Sequence, residues 1–218
     1  MNRKQLAVAG IVLLVAAVFV AGVFAYRKQA QQSVDRQAAS QSSRLVRMHS
    51  PVLGPQAAPV TIVEFFDPAC ETCRAFYPFV KDLLARYPQD LRLVIRYAPF
   101  HQGSDEVVKL LEAARRQGKY LPVLEAVLEA QPAWADHGRP NLTLAYQAAE
   151  RAGLDMGRAR EDMLRPEMQA LLEQDVDDLK ALQVRQTPTF FVNGRSLPSF
   201  GRDPLASLVA EEVAKARK

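Results

Sequence analysis

Cys70 and Cys73 are the only cysteines in this 218-residue chain. They follow Val60–Phe66, a β-branched and aromatic run, across Asp67-Pro68-Ala69, and they open an apolar-periodic segment. A strand is predicted to hand over to a helix at the first cysteine. A thiol at a helix N-terminus faces unpaired backbone N–H groups and the positive end of the helix dipole, so its thiolate is favoured. A second thiol one turn on can resolve a mixed disulfide formed by the first. The pattern points to thiol–disulfide exchange. Zinc is the main competitor, but it needs four ligands, and His49, His101 and His137 stand without ligand spacing. A thiolate pair that handles Cu(I) or senses redox state is the alternative function, although no methionine or histidine stands at ligand spacing beside the cysteines. A buried inert pair is the blandest reading, and a staple is poor use of so short a ring. No metal site and no cofactor are assigned.

Glu64 interrupts the apolar run six residues before Cys70. A lone carboxylate in a buried strand costs free energy unless it is paired or functional. The alternative is a wet edge; the reading adopted is a buried proton acceptor serving Cys73.

These residues need elements to hold them. Val60–Phe66 is almost continuously apolar, as expected of a strand covered on both faces. Phe76, Phe79, Val80 and Leu83 then follow the spacing of a one-sided helix, with Pro78 inside it and Tyr87-Pro88 at its end. Leu91–Tyr97 supplies a second strand, giving a βαβ unit with parallel strands. Apolar stripes predict helices over about 102–183, with Pro132–Pro140 as a loop. The chain returns to strand at Thr189–Val192, turns at Asn193-Gly194, a favoured type I′ pair, and pairs back along Arg195–Phe200. A last helix starts with Asp203 as N-cap and Pro204 at its first position. Arg44–His49 is expected as a short edge strand, and Ser50–Pro59 as loop. The predicted fold class is α/β: a sheet with helices on both faces and a helical subdomain inserted between a βαβ half and a C-terminal ββα half.

Ahead of this domain (50–218) lie a short N-terminus (1–5), a charge-free run over 6–26 and a polar linker (27–49). At 1.5 Å per residue the run spans the ~30 Å of a bilayer's hydrocarbon core. It is longer than the h-region of a cleaved signal, so an uncleaved transmembrane anchor is expected. Charge leaves the orientation open; stable disulfide chemistry belongs in an oxidising compartment, which places the domain in the periplasm on a single-pass inner-membrane anchor. The linker reads as a flexible or loosely helical tether. Net charge is +4 with both signs interleaved, which does not suggest a nucleic-acid surface.

Glu64-Phe65-Phe66, Cys70-Glu71-Thr72-Cys73 and Thr187-Pro188-Thr189-Phe190-Phe191-Val192-Asn193-Gly194, with the lead-in Ser50–Gly54 and Ala58–Thr61, resemble the DsbA-like branch of the thioredoxin superfamily. The resemblance covers nearly all of 50–218 and implies a thioredoxin-like fold with the helical subdomain as its insert. It implies that Cys70 is the exposed nucleophile, Cys73 the buried resolving thiol and Glu64 the buried carboxylate. It also implies that Pro188 is a cis-proline facing the cysteines and that Thr187 offers backbone groups to an extended substrate. The partners implied are cysteine-bearing proteins and a membrane redox partner. Glu71-Thr72 departs from the Pro-His of the strongest oxidants. Losing that His and gaining an acid beside Cys70 would make the thiolate less stable and the disulfide less oxidising. Thr187 resembles the isomerase and reductase members more, so the direction of electron flow stays open.

Overall fold

The computed structural model describes residues 3–40, 42–136 and 138–218, and for residues 3–12, 15, 34, 35, 37–40 and 42 the backbone alone. His137 lies outside the described residues. In chain order the elements are α1 (Arg3–Ser40), α2 (Ser42–Leu45), β1 (Val52–Leu53), β2 (Val60–Phe66), α3 (Glu71–Arg86), β3 (Leu91–Tyr97) and α4 (Ser104–Arg116). They continue through α5 (Tyr120–Trp134), α6 (Leu142–Arg151), α7 (Met156–Met163), α8 (Pro166–Ala181), β4 (Thr189–Val192), β5 (Arg195–Ser196) and α9 (Arg202–Ala216).

The sheet runs β1-β3-β2-β4-β5. β2 and β3 are parallel and in register from Val60↔Leu91 to Phe66↔Tyr97, with α3 as their crossover. β4 lies antiparallel on the other side of β2, Glu64 opposite Phe190. Alternation along β2 sends Ile62, Glu64 and Phe66 to one face and Val63 and Phe65 to the other. Ile62 and Phe66 join the large core with α3, α4, α5 and α9, and Val63 and Phe65 join a smaller one with Leu179 of α8. The sheet is therefore covered on both faces, which is why β2 and β3 read as continuous apolar runs. Asn193 and Gly194 take φ of 48° and 79°, both positive as a type I′ turn requires.

The edge strand is not Arg44–His49. That stretch leaves α2 for a turn, and Val52–Leu53 pairs antiparallel with β3 instead. The reason is electrostatic. Arg47 Nε reaches Asp178 at 2.7 Å and His49 Nε2 reaches Asp175 at 2.7 Å, both acids lying on α8. They share these carboxylates with the fully buried Arg96 of β3, whose Nη2 is 2.7 Å from Asp175 and 2.8 Å from Asp178. The expected loop at Pro132 starts later, because α5 continues to Trp134. That ring is fully buried with its Nε1 donating to the Val127 carbonyl at 2.9 Å, which holds the final turn closed. The strand after the hairpin stops at Ser196, before Pro198, and α9 begins at Arg202 with Gly201 as N-cap. The 27–49 tether is helical as far as Ser40. In it Gln31 Nε2 donates to the Ser196 carbonyl at 3.1 Å. Among the described residues no helix is long and apolar enough to cross a membrane. The membrane-crossing helix expected over 6–26 is therefore not supported there; for residues 6–12 and 15 only the backbone is described.

Candidate functional site

Cys70 is the N-cap of α3, with φ −75° and ψ 118°, and its carbonyl accepts the first helical bond from Arg74 N–H at 3.1 Å. The first-turn N–H groups of Thr72 and Cys73 favour its thiolate, without closing a side-chain cap hydrogen bond. Both cysteines are free thiols. Hydrogen bonding to the Cys73 thiol is the largest influence on Cys70. Against the cost of burial, that bond, the Thr187 side chain and the Cys73 and Thr72 N–H groups lower its pKa from 9.0 to about 5. Cys70 Sγ also lies 3.3 Å from the Thr187 carbonyl, which accepts the S–H of the thiol form. Thr187-Pro188 is a cis peptide, as expected, and it is the Thr187 carbonyl of that pair that meets Cys70. Cys70 itself is only 6% exposed. This corrects the expectation of an exposed nucleophile: the Thr187 carbonyl from the loop before β4 and the Gln131 amide of α5 both pack against it.

Cys73 behaves oppositely. It is fully buried. Burial, then the Cys70 hydrogen bond and the neighbouring Glu64 carboxylate, push its pKa well above 9.0, although Asp67 N–H donates to its sulfur at 3.5 Å. Glu64 is 2% exposed, on the same sheet face, between Ile95 and Phe190. Among the described residues no hydrogen bond reaches its carboxyl. Burial, followed by the Cys70 charge, raises its pKa from 4.5 to about 8. One helix terminus thus holds a ready thiolate and a reluctant thiol, and the neighbouring strand β2 supplies a carboxyl poised near neutrality. Glu71 and Thr72 are exposed in the first turn of α3, and Thr72 acts on Cys70 through its backbone N–H.

Sequence reasoning missed Asp67. Its fully buried carboxylate accepts from Ala69 N–H at 2.9 Å, Phe100 N–H at 2.8 Å, His101 N–H at 3.0 Å and His101 Nδ1 at 2.7 Å. The Ser104 hydroxyl donates to it as well. Asp67 ties the cysteine loop to the segment entering α4. The signal available was an Asp before a Pro, a common turn opener, which says nothing of partners more than thirty residues away.

A sheet with parallel β2–β3 and antiparallel β4–β5, and a Cys-x-x-Cys helix terminus beside the carbonyl of a cis Thr-Pro peptide, define a thioredoxin-fold protein. The thioredoxin family matches residues 47–209, and the chain belongs to that family. Its fold is that of the DsbA-like oxidoreductases. It is 33% identical to the structure of a thioredoxin-like oxidoreductase from Silicibacter pomeroyi, with TM-score 0.68, covering 80% of this chain and 96% of that one. It also shares the fold of the thiol-disulfide exchange protein alpha-DsbA2 from Wolbachia pipientis, at 15% identity and TM-score 0.71 over 86% of this chain and 98% of that one. Among curated relatives, a Na(+)/H(+) antiporter NhaA 3 from Salinispora tropica is 36% identical over 170 residues, 76% of this chain and 25% of the antiporter. The chain thus spans about a quarter of the length of that relative.

Proposed function

We propose that this chain is a protein thiol–disulfide oxidoreductase of the periplasm, acting on cysteine-bearing polypeptides through the Cys70–Cys73 pair. The observation that carries this reading is the opposed tuning of two thiols one helical turn apart, Cys70 down to about 5 and Cys73 well up. In the donating direction a substrate thiolate attacks Cys70 Sγ of the Cys70–Cys73 disulfide. The S–S bond breaks, Cys73 leaves as a thiolate and takes a proton from Glu64. A second substrate thiolate then attacks the substrate sulfur of the mixed disulfide. Cys70 leaves as its stabilised thiolate, and the substrate carries away the disulfide while the enzyme holds two electrons. The reverse sequence reduces a substrate, with Glu64 taking the Cys73 proton. A stabilised Cys70 thiolate favours the reduced enzyme, so donation is the proposed direction, and a membrane redox partner would reoxidise the pair. Thr187 and Pro188 would present backbone to the extended substrate beside Cys70.

The reading is tested by trapping. Cys73→Ala should accumulate mixed disulfides with substrate peptides, and Cys70→Ser should form none. Full exchange activity in both single variants would end it. The N-terminal helix is proposed to hold the domain at the membrane. The charge-free run over 6–26 supports this, as do the side chains of Leu13, Phe19, Phe24 and Tyr26, each more than two-thirds exposed. Release of the full chain from membranes by alkaline carbonate would refute it.

A further inference from the structure

The Cys70 loop is gripped by a residue of the helical insert that none of the chemistry above uses. Gln131 lies in the last turn of α5 and is 1% exposed. Its Nε2 donates to the Pro68 carbonyl at 2.8 Å and to the Cys70 carbonyl at 3.0 Å, and its Oε1 accepts from Arg74 Nε at 2.9 Å. Two carbonyl acceptors on one side and a guanidinium donor on the other fix which end of the amide is nitrogen. Cys70 is the N-cap and Pro68 lies two residues before it, so the amide holds the peptide that leaves the N-cap and the Pro68–Ala69 peptide of the turn that leads into it. The Cys70 carbonyl uses its two lone pairs on Arg74 N–H and Gln131. Its peptide plane therefore cannot rotate without breaking one of them, and that plane sets where the Thr72 and Cys73 N–H groups point. The support is stiff: Val123, Leu124, Val127 and Trp134 bury the same helix in the large core.

We infer that Gln131 is a positioning residue through which the helical insert sets the reactivity of Cys70. The inference rests on the thiol–disulfide reading and deepens it. A buried, satisfied amide could equally serve stability alone, so the distinguishing quantity is the state of the Cys70 sulfur rather than the melting temperature.

The test compares the full chain with Gln131→Met, which keeps length and burial but has no donor. Gln131→Asn keeps the amide one methylene short of both carbonyls. Arg116→Ala serves as a control that weakens the insert elsewhere, by removing the 2.9 Å pair with Asp162. Iodoacetamide alkylation of Cys70 is followed against pH, with the thiol–disulfide equilibrium in glutathione buffers. If the N-cap N–H groups lose their aim and Cys70 titrates about one pH unit higher, alkylation at pH 5 falls about five-fold. At pH 7 the equilibrium constant for reduction falls about ten-fold. Both Gln131 variants should show this and Arg116→Ala should not. Alkylation profiles and equilibria that match the parent in whichever Gln131 variant folds would overturn the inference, whatever happens to stability. A parent Cys70 that alkylates like an ordinary thiol would instead overturn the functional reading beneath it.

Discussion

Replacing Glu64 with Gln converts the buried carboxyl into a neutral near-isostere, and the consequence depends on pH in a calculable way. In the fold the carboxyl titrates near 8, against 4.5 when exposed. Between those values the unfolded chain has released a proton that the folded chain still holds. Stability therefore falls as pH rises from about 4.5 to about 8, and is level on either side. At about 1.4 kcal/mol per pH unit, the full span is about 5 kcal/mol, of which about 3 kcal/mol is lost by pH 7. The Gln variant keeps the neutral form at every pH. It should match the parent near pH 4.5, exceed it by about 3 kcal/mol at pH 7, and approach about 5 kcal/mol above pH 8. Urea unfolding of both reduced proteins at pH 5, 7 and 9 measures this, and the difference includes the repulsion between the Glu64 and Cys70 charges. The same variant should slow release and capture of the Cys73 proton, so stability rises while exchange slows. Parallel stability curves from pH 5 to 9 would refute the burial argument for Glu64.

The lowered Cys70 pKa has the opposite sign: its contribution is complete above about 9 and is lost as pH falls through about 5. Relative to the oxidised protein, the reduced one should therefore gain about 2 kcal/mol between pH 5 and pH 7, read from paired unfolding midpoints; a gain by the oxidised form would refute the thiolate assignment. A Cys70 pKa of about 5 lies between thioredoxin at about 7 and DsbA at about 3.5, so the Cys70–Cys73 potential should fall near about −180 mV, between their values. Asp67→Asn turns an amide N–H₂ toward donors such as Phe100 and His101 N–H; it should cost about 2–4 kcal/mol by thermal unfolding and slow alkylation of Cys70. Arg96→Met leaves Asp175 and Asp178 buried with less positive charge and should cost about 3–5 kcal/mol at pH 7, with part of the loss recovered in acid.

The local chemistry was legible because it depends on short-range geometry. An apolar run, a turn and two cysteines at the start of a helical period put a thiol on a helix terminus whatever surrounds it. Glu64 was readable for the same reason, since alternation along a strand fixes the face it shares with its neighbours. Thr187-Pro188 became informative only beside the cysteines. The edge strand was not legible: Arg44, Arg47 and His49 gave no sign that acids on α8, more than 120 residues on, would hold them.

The amino-acid sequence by itself determined the strand-to-helix turn, the pair of thiols, the buried carboxyl and the alternation of strands and helices around them. Tertiary structure decided how strongly each group is tuned. The loop before β4 brings the Thr187 carbonyl against Cys70, the sheet face strips water from Glu64 and Cys73, and Asp67 and Gln131 tie the cysteine loop to the helical insert. Such effects come from desolvation and from hydrogen bonds between segments far apart in the chain. No periodicity within a segment records which carbonyl a distant amide will meet.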